Sequence, residues 1–458
     1  MTRSISQVHR RAARFMMARL RAFVIAAVAL VALNVPVNAT NIERVVSPGG
    51  IEFWFVRDAT VPLVSVNFAF RGGAVQDPDD KLGLAEMTVA TLDEGAGDLD
   101  SAAFQERLER YAIELQMRSS REHVRGTLRT LKEHQGEAFN LLRLALNEPR
   151  FDTPAVERSR TQMLVQLQRQ STNPNAIASR NWWAAAFPSH PYGRPPNGTL
   201  EAVARITTDD MRDYVRRVFA RDALKLAIVG DINAADAGRL VDQAFGSLPA
   251  KAQLKPIADA TVQGLGGRTV ATLNVPQTVL TFGGRGIHRN DPDFMAAYLV
   301  NHILGGGSFT SRLYREVREI RGLAYGVNTG LTWFEHGAVL LGGTATRAES
   351  AAETIELIER EFRRMAAEGP TEDELAKAKT YLKGSFALNL DTSSKIAAQL
   401  VQMQIDNLGI DYIDRRGALI DAVTLDDARR VAKRLLGDGL LFSVVGRPKV
   451  VPPKTPGG

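Results

Sequence analysis

A glycine-rich run feeding a charged helix is where residue types in this chain first suggest chemistry. It reads Leu304-Gly-Gly-Gly-Ser-Phe-Thr-Ser-Arg-Leu-Tyr-Arg-Glu-Val-Arg-Glu-Ile-Arg-Gly-Leu-Ala-Tyr325. Thr310 or Ser311 is placed to cap the helix, Gly322 to stop it, and a strand to begin at Leu323. Amides of such a loop can cradle a phosphate. A phosphate loop needs Gly-Lys-Ser/Thr, however, and none follows the glycines here. Two readings remain. One is a flexible hinge with a solvated basic helix face. The other is a substrate-holding surface, because the Arg318 guanidinium and the Tyr325 phenol both donate hydrogen bonds. Residue types alone leave the two open.

Other chemistries find little support. The chain has no cysteine, which excludes disulfides, Cys-ligated zinc and thiol catalysis. No Gly-x-Ser-x-Gly elbow is present. The histidines beyond residue 40 are His123, His134, His190, His288, His302 and His336. None has a second His or an acid four residues on, so no metal-ligand pattern forms, and scattered surface histidines are the expectation. Glu122-His123 and Glu133-His134 are adjacent pairs, and adjacent side chains point apart. Asp93-Glu-Gly-Ala-Gly97 offers two carboxylates but reads as a helix C-terminus with glycine caps.

The elements that must position these residues occur twice. Ile206-Thr-Thr-Asp-Asp matches Val423-Thr-Leu-Asp-Asp, and each opens an amphipathic helix with a Thr-x-Asp-Asp cap. Each helix leads to a short apolar strand, Leu224–Gly230 and Leu440–Gly446. An earlier pair of helices begins at Thr153 and Glu372. Two matched pairs in the same order argue for duplication. Each half also opens with strands, Val61–Phe70 and the run around Thr278–Phe282. Strands and helices in blocks predict an α+β fold of two homologous domains, each a mostly antiparallel sheet flanked by helices. The expected domains span 40–250 and 268–450. The linker falls at 251–267, within the Pro- and Gly-broken stretch Leu248–Gly267, and a disordered tail at 451–458.

Residues 1–22 hold six arginines and no acid, followed by the apolar run Phe23–Leu33 and the small-residue site Val37-Asn-Ala39. This is the grammar of a secretory signal peptide over 1–39, and the apolar run is too short to span a membrane. Removing those arginines leaves 51 Lys and Arg of the chain's 57, against 51 Asp and Glu. A neutral processed chain gives no basis for nucleic-acid binding. It has no second apolar span, so no membrane association is expected after signal removal. The expected location is a bacterial periplasm.

The Leu304–Tyr325 run resembles the C-terminal-half signature of the pitrilysin/insulinase family of zinc peptidases. The likeness extends from about Val45 to Val450 and takes in His190-Pro-Tyr192, Gly198-Thr-Leu200, the Thr-x-Asp-Asp helices and Val229-Gly-Asp231. It implies duplicated α+β units. It also implies that Arg318 and Tyr325, with the family's seven-residue spacing, reach a substrate bound near Gly306, Gly307 and Phe309. The family binds zinc through His-x-x-Glu-His on a first-half helix after Gly-Leu-Ala, with the Glu as base. Here Gly83-Leu-Ala85 is followed by Glu86 and Val89-Ala90 at the His and Glu-His positions. The third ligand aligns with Gln166. Glu86, Val89, Ala90 and Gln166 thus replace every ligand and the base.

The resemblance therefore implies no cofactor in this chain and zinc in a homologous partner chain. The expected function is a non-catalytic subunit of an exported metallopeptidase, with a peptide substrate and Arg318 and Tyr325 completing the partner's site. The competing expectation is a peptide-binding or scaffold subunit, using an edge strand such as Val61–Phe70. A relocated active site lacks an identifiable base and electrophile.

Overall fold

Two sheets built to one plan organise the chain. The computed structural model describes residues 41–448; the expected signal segment 1–39 and tail 451–458 lie outside the described residues. The first-half strands are β1 (Glu43–Val46), β2 (Glu52–Arg57), β3 (Leu63–Arg71), the small hairpin β4 (Gly95–Ala96) and β5 (Leu99–Asp100), β6 (Glu114–Ser119), β7 (His123–Leu131) and β8 (Leu224–Gly230). The second-half strands are β9 (Arg268–Thr272), β10 (Gln277–Arg285), β11 (Ala324–Trp333), β12 (Ala338–Arg347) and β13 (Leu441–Gly446). The orders are β1-β2-β8-β3-β7-β6 and β11-β12-β10-β13-β9. In each sheet the last strand of the half pairs parallel with an opening strand and antiparallel with the next one. The other pairs are antiparallel. The expected α+β class with mostly antiparallel sheets is what the chain adopts.

Local chemistry explains the matched helices. Thr207 and Asp210 form a reciprocal capping box before the helix Thr208–Val218, and Thr424 and Asp427 form the same box before Leu425–Leu436. Each box satisfies two backbone donors that the first turn leaves free. β8 follows the first helix and β13 the second.

The halves are not separate bodies; from Ile42 onward the chain is one compact unit. Each half lends a helix to the other's sheet. The second-half helix Ser393–Ile405 packs on β3 and β8, and the first-half helix Pro174–Ala186 packs on β10 and β13. Gln404 bonds both ways with the backbone of Leu226, and Trp182 donates its indole N–H to the Leu441 carbonyl at 3.0 Å. Trp182 is fully buried. Trp182→Ala is expected to cost about 3–5 kcal/mol and to shift one unfolding transition seen by probes in both halves. A mutant whose first-half probe keeps the wild-type midpoint would contradict coupled folding of the halves.

This exchange corrects one expectation. Val61–Phe70 is no edge strand: β3 lies between β8 and β7, and the borrowed helix covers its second face, so residues Val64–Phe70 are all buried. The edges are β1 and β6 in one sheet and β11 and β9 in the other. The Pro- and Gly-rich stretch after Leu248 runs extended against both halves. Gln253 N–H donates to Arg217 O, Gln263 N–H to Ala186 O and Gly266 N–H to Leu440 O. Asp93–Gly97 does not cap a helix either: Gly95–Ala96 turns back on Leu99–Asp100, with Gly95 and Gly97 at positive φ. No helix among the described residues is long and apolar enough to cross a membrane.

Candidate functional site

The family's metal helix survives as a short one, Leu84–Val89. Its start is held by a residue that sequence reading missed. The Asp77 carboxylate accepts the N–H of Gly83 at 2.9 Å and of Ala85 at 3.0 Å. Burial pushes Asp77 up to about 7, against the pull of those amides and of Arg194. No periodic signal marked it, since it lies seven residues before the first residue of the helix, Leu84. The helix packs against Thr208–Val218 and β6.

None of the slot positions can assemble a zinc site. Glu86 is half-buried, and burial raises its carboxyl despite a hydrogen bond from the Ser119 amide. Val89 is 3% exposed and belongs to the first-half core. Ala90 and Gln166 are exposed. One carboxylate with no imidazole does not fit tetrahedral zinc. Among the described residues no group of three or more His, Asp or Glu is placed to hold a metal ion. Three of the histidines have local partners instead. His190 accepts the Tyr192 N–H, His302 stacks on Tyr381, and His336 meets Asp259 at 3.0 Å.

The Arg318 region is assembled in detail. The helix Phe294–Asn301 continues as a wide turn over His302–Gly306. Ser311 caps the next helix, which widens to a π turn at Arg315–Ile320; such turns recur at functional sites. The glycines serve close approach: a Cβ on Gly305 would collide with Thr329 Oγ1, and one on Gly307 would lie 2.8 Å from the His302 carbonyl. Gly306 and Phe309 are exposed, Phe309 by 69%.

Arg318 sits between two tyrosines. Its guanidinium donates to Tyr314 Oη and lies 4.5 Å from the Tyr325 ring centre. Tyr325 is 85% exposed at the start of edge strand β11. Phe309 meets Tyr314 edge-on at 5.1 Å. The fold thus brings Phe309, Arg318 and Tyr325 together through Tyr314. Tyr314 was missed, although its i, i+4 spacing to Arg318 was the available signal. No hydrogen bond, ion pair or ring contact among the described residues joins Arg318 or Tyr325 to the Leu84–Val89 helix.

Arg312 anchors this region from below. Its Nε and Nη2 donate to the two Glu374 oxygens at 2.7 and 2.6 Å, and Nη2 also donates to Gly369 O at 3.1 Å. Glu374 simultaneously closes the capping box with Thr371 at the start of Glu372–Gly384. Burial alone would raise the Glu374 carboxyl, but Arg312 and Thr371 hold it down to about 2.

These features define a duplicated peptidase-like α+β protein whose metal helix carries no ligand set. Residues 54–199 match the model of the insulinase family, peptidase family M16, and residues 205–382 match the peptidase M16 inactive domain. The chain is 28% identical over 336 residues to the non-peptidase homolog YmxG of Helicobacter pylori, covering 73% of this chain and 77% of that one. It is 25% identical over 412 residues to an uncharacterized zinc protease of Mycobacterium leprae, covering 89% and 92%. A crystal structure of a peptidase M16 inactive domain from Pseudomonas fluorescens superposes with a TM-score of 0.83 at 27% identity, covering 91% of this chain and 100% of that one. The chain belongs to the pitrilysin/insulinase (M16) family, as a pseudo-peptidase member.

Proposed function

We propose that this chain is the non-catalytic subunit of an exported, periplasmic zinc metallopeptidase. It contributes the substrate-clamping Arg318 and Tyr325 to a site whose zinc and general base belong to a homologous partner chain. The observation that carries this reading is an asymmetry. The slot at Glu86, Val89, Ala90 and Gln166 has no ligand set, while Arg318 is half-buried and braced, Tyr325 is exposed beside it, and neither bonds to that slot among the described residues. Packing alone gives no reason to hold a tyrosine in solvent beside a guanidinium. Both groups donate hydrogen bonds to a peptide carbonyl or to the oxyanion formed from it. Gly306, Gly307 and Phe309 border the same surface and would meet the peptide.

The test is reconstitution. The chain is purified alone and together with a homologous chain that carries His-x-x-Glu-His, sought first in the neighbouring reading frame. Alone, it is expected to show no stoichiometric zinc and no peptide hydrolysis. The pair is expected to show one zinc and hydrolysis. Stoichiometric zinc with activity in the lone chain would overturn the proposal. Peptide binding without any hydrolysis by the pair would favour a scaffold subunit, with the edge strands β6 and β11 as its docking positions.

A further inference from the structure

Between the halves lies an open cavity of about 660 Å³, within the range of small-molecule sites, about 300–1,000 Å³. One wall is the first sheet. Lys225, Ala69 and Arg125 stand in one row across β8, β3 and β7, and Arg71 and His123 stand in the next row. Residues two apart on a strand share a face, so all four polar side chains project from the same side. Arg121 and Arg289 close in from other walls.

The acids around the cavity do not balance these cations. Glu335 takes Arg71 at 3.3 Å. Glu122 is used by the Tyr192 hydroxyl and the Glu335 amide. Asp222 accepts the Ala252 amide at 2.8 Å. Asp406 accepts the Trp333 indole at 2.9 Å and is the acid that offsets both Arg125 and Arg289. Arg121 and Lys225 have no acidic partner among the described residues. Arg121 instead stacks 4.0 Å from the Trp183 ring centre and donates to Tyr192 O. Burial lowers its guanidinium to about 10. Burial, then Arg125 and Arg71, push His123 down to about 4, so it is neutral at pH 7. The lining thus sets five cations, Arg71, Arg121, Arg125, Lys225 and Arg289, against four carboxylates, and that excess in a concave site creates a field that favours an anion.

We infer that this cleft binds a small oxyanion, a carboxylate or phosphate group, held by Arg121, Arg125 and Lys225. Arg125 Nη2 donates to Gln402 Oε1 at 2.6 Å, which leaves its other N–H groups for an anion, and Lys225 adds an exposed charge. Trp333 and Ile405 supply apolar wall for whatever carries the group. The cavity also reaches Ser119, whose amide holds Glu86. The inference stands on the charge balance of this chain and does not require the peptidase reading.

Calorimetry on the purified chain at fixed ionic strength tests it. The probes are inorganic phosphate, the dipeptide Ala-Ala and its C-terminal amide, with sodium chloride as control. One site per chain is expected for phosphate or for the free dipeptide. A dipeptide that binds at least about tenfold tighter than its amide identifies a peptide terminus as the source; binding of phosphate alone identifies free phosphate. Lys225→Gln, at an exposed and unpaired position, and Arg125→Gln are each expected to weaken binding about tenfold, with the melting temperature of Lys225→Gln unchanged. No binding above the chloride control, or an unchanged Kd in both variants, would overturn the inference.

Discussion

Arg318→Ala in the reconstituted pair is expected to lower kcat/KM for peptide hydrolysis about 100- to 1,000-fold, with zinc content unchanged. That range is what removal of one preorganised donor to a developing oxyanion produces. The physical case rests on preorganisation. Arg318 is fixed before any substrate arrives, by its hydrogen bond to Tyr314 Oη and by the tyrosine rings at 5.0 and 4.5 Å. A guanidinium that is already oriented needs no reordering when charge develops on the carbonyl oxygen. Tyr325→Phe removes a second donor while keeping the ring against Arg318, so a smaller loss, about tenfold or more, is expected. Tyr314→Phe loosens Arg318 without touching substrate. Its loss should appear in kcat more than in KM, which a merely structural role would not produce. An Arg318→Ala pair that hydrolyses peptide at the wild-type rate would remove the clamp from the proposal.

Arg312→Ala is expected to destabilise the chain by about 1.5–3 kcal/mol, the usual worth of hydrogen bonds to a charged group, since Glu374 is part-exposed and keeps Thr371. Arg312 is buried, and its loss takes a partner from Glu374 and the Gly369 carbonyl together. Arg312→Lys should recover little, because one ammonium cannot reproduce the planar fork that bonds both Glu374 oxygens and the Gly369 carbonyl together. The pair also sets an acid limb. Glu374 titrates near 2 in the folded chain against an ordinary 4.5. A depressed folded pKa means that the unfolded chain binds more protons between those values. The stabilisation is therefore fully present above pH about 4.5 and is lost as pH falls towards 2. Urea unfolding at pH 7 and at pH 3 checks this: the gap between wild type and Arg312→Ala should narrow at pH 3. An equal gap at both values would assign the loss to packing alone.

Much of this was legible in the sequence, and the reasons are local. The Thr207–Asp210 and Thr424–Asp427 boxes each span four residues, so the backbone donors they satisfy are specified by neighbours in the chain. Duplication followed from their recurrence with the strands after them. The loss of metal ligands at Glu86, Val89 and Ala90 is a matter of residue identity at helical spacing. The pairing of Arg318 with Tyr325 came from the seven-residue spacing of the family that the run resembles, since residue types alone left it open.

What escaped the sequence depends on residues that meet only after folding. β3 alternated well enough to suggest an edge strand. A helix more than 300 residues later in the chain covers its second face, through Ser65–Ser394 and Asn67–Ser394 contacts. No periodicity in either segment encodes that meeting. Asp77 caps the remnant of the metal helix from outside it, and Glu374 serves a local box and a distant arginine at once. The balance of charge in the inter-half cleft is decided the same way. Arg71, Arg121, Arg125 and Lys225 are unremarkable in sequence, and only the packing of both halves determines which of them find a carboxylate. Residue types and short spacings determined what this chain lacks and which donors it keeps. The tertiary structure decided what those donors rest on, because burial and long-range contact are properties of the assembled chain.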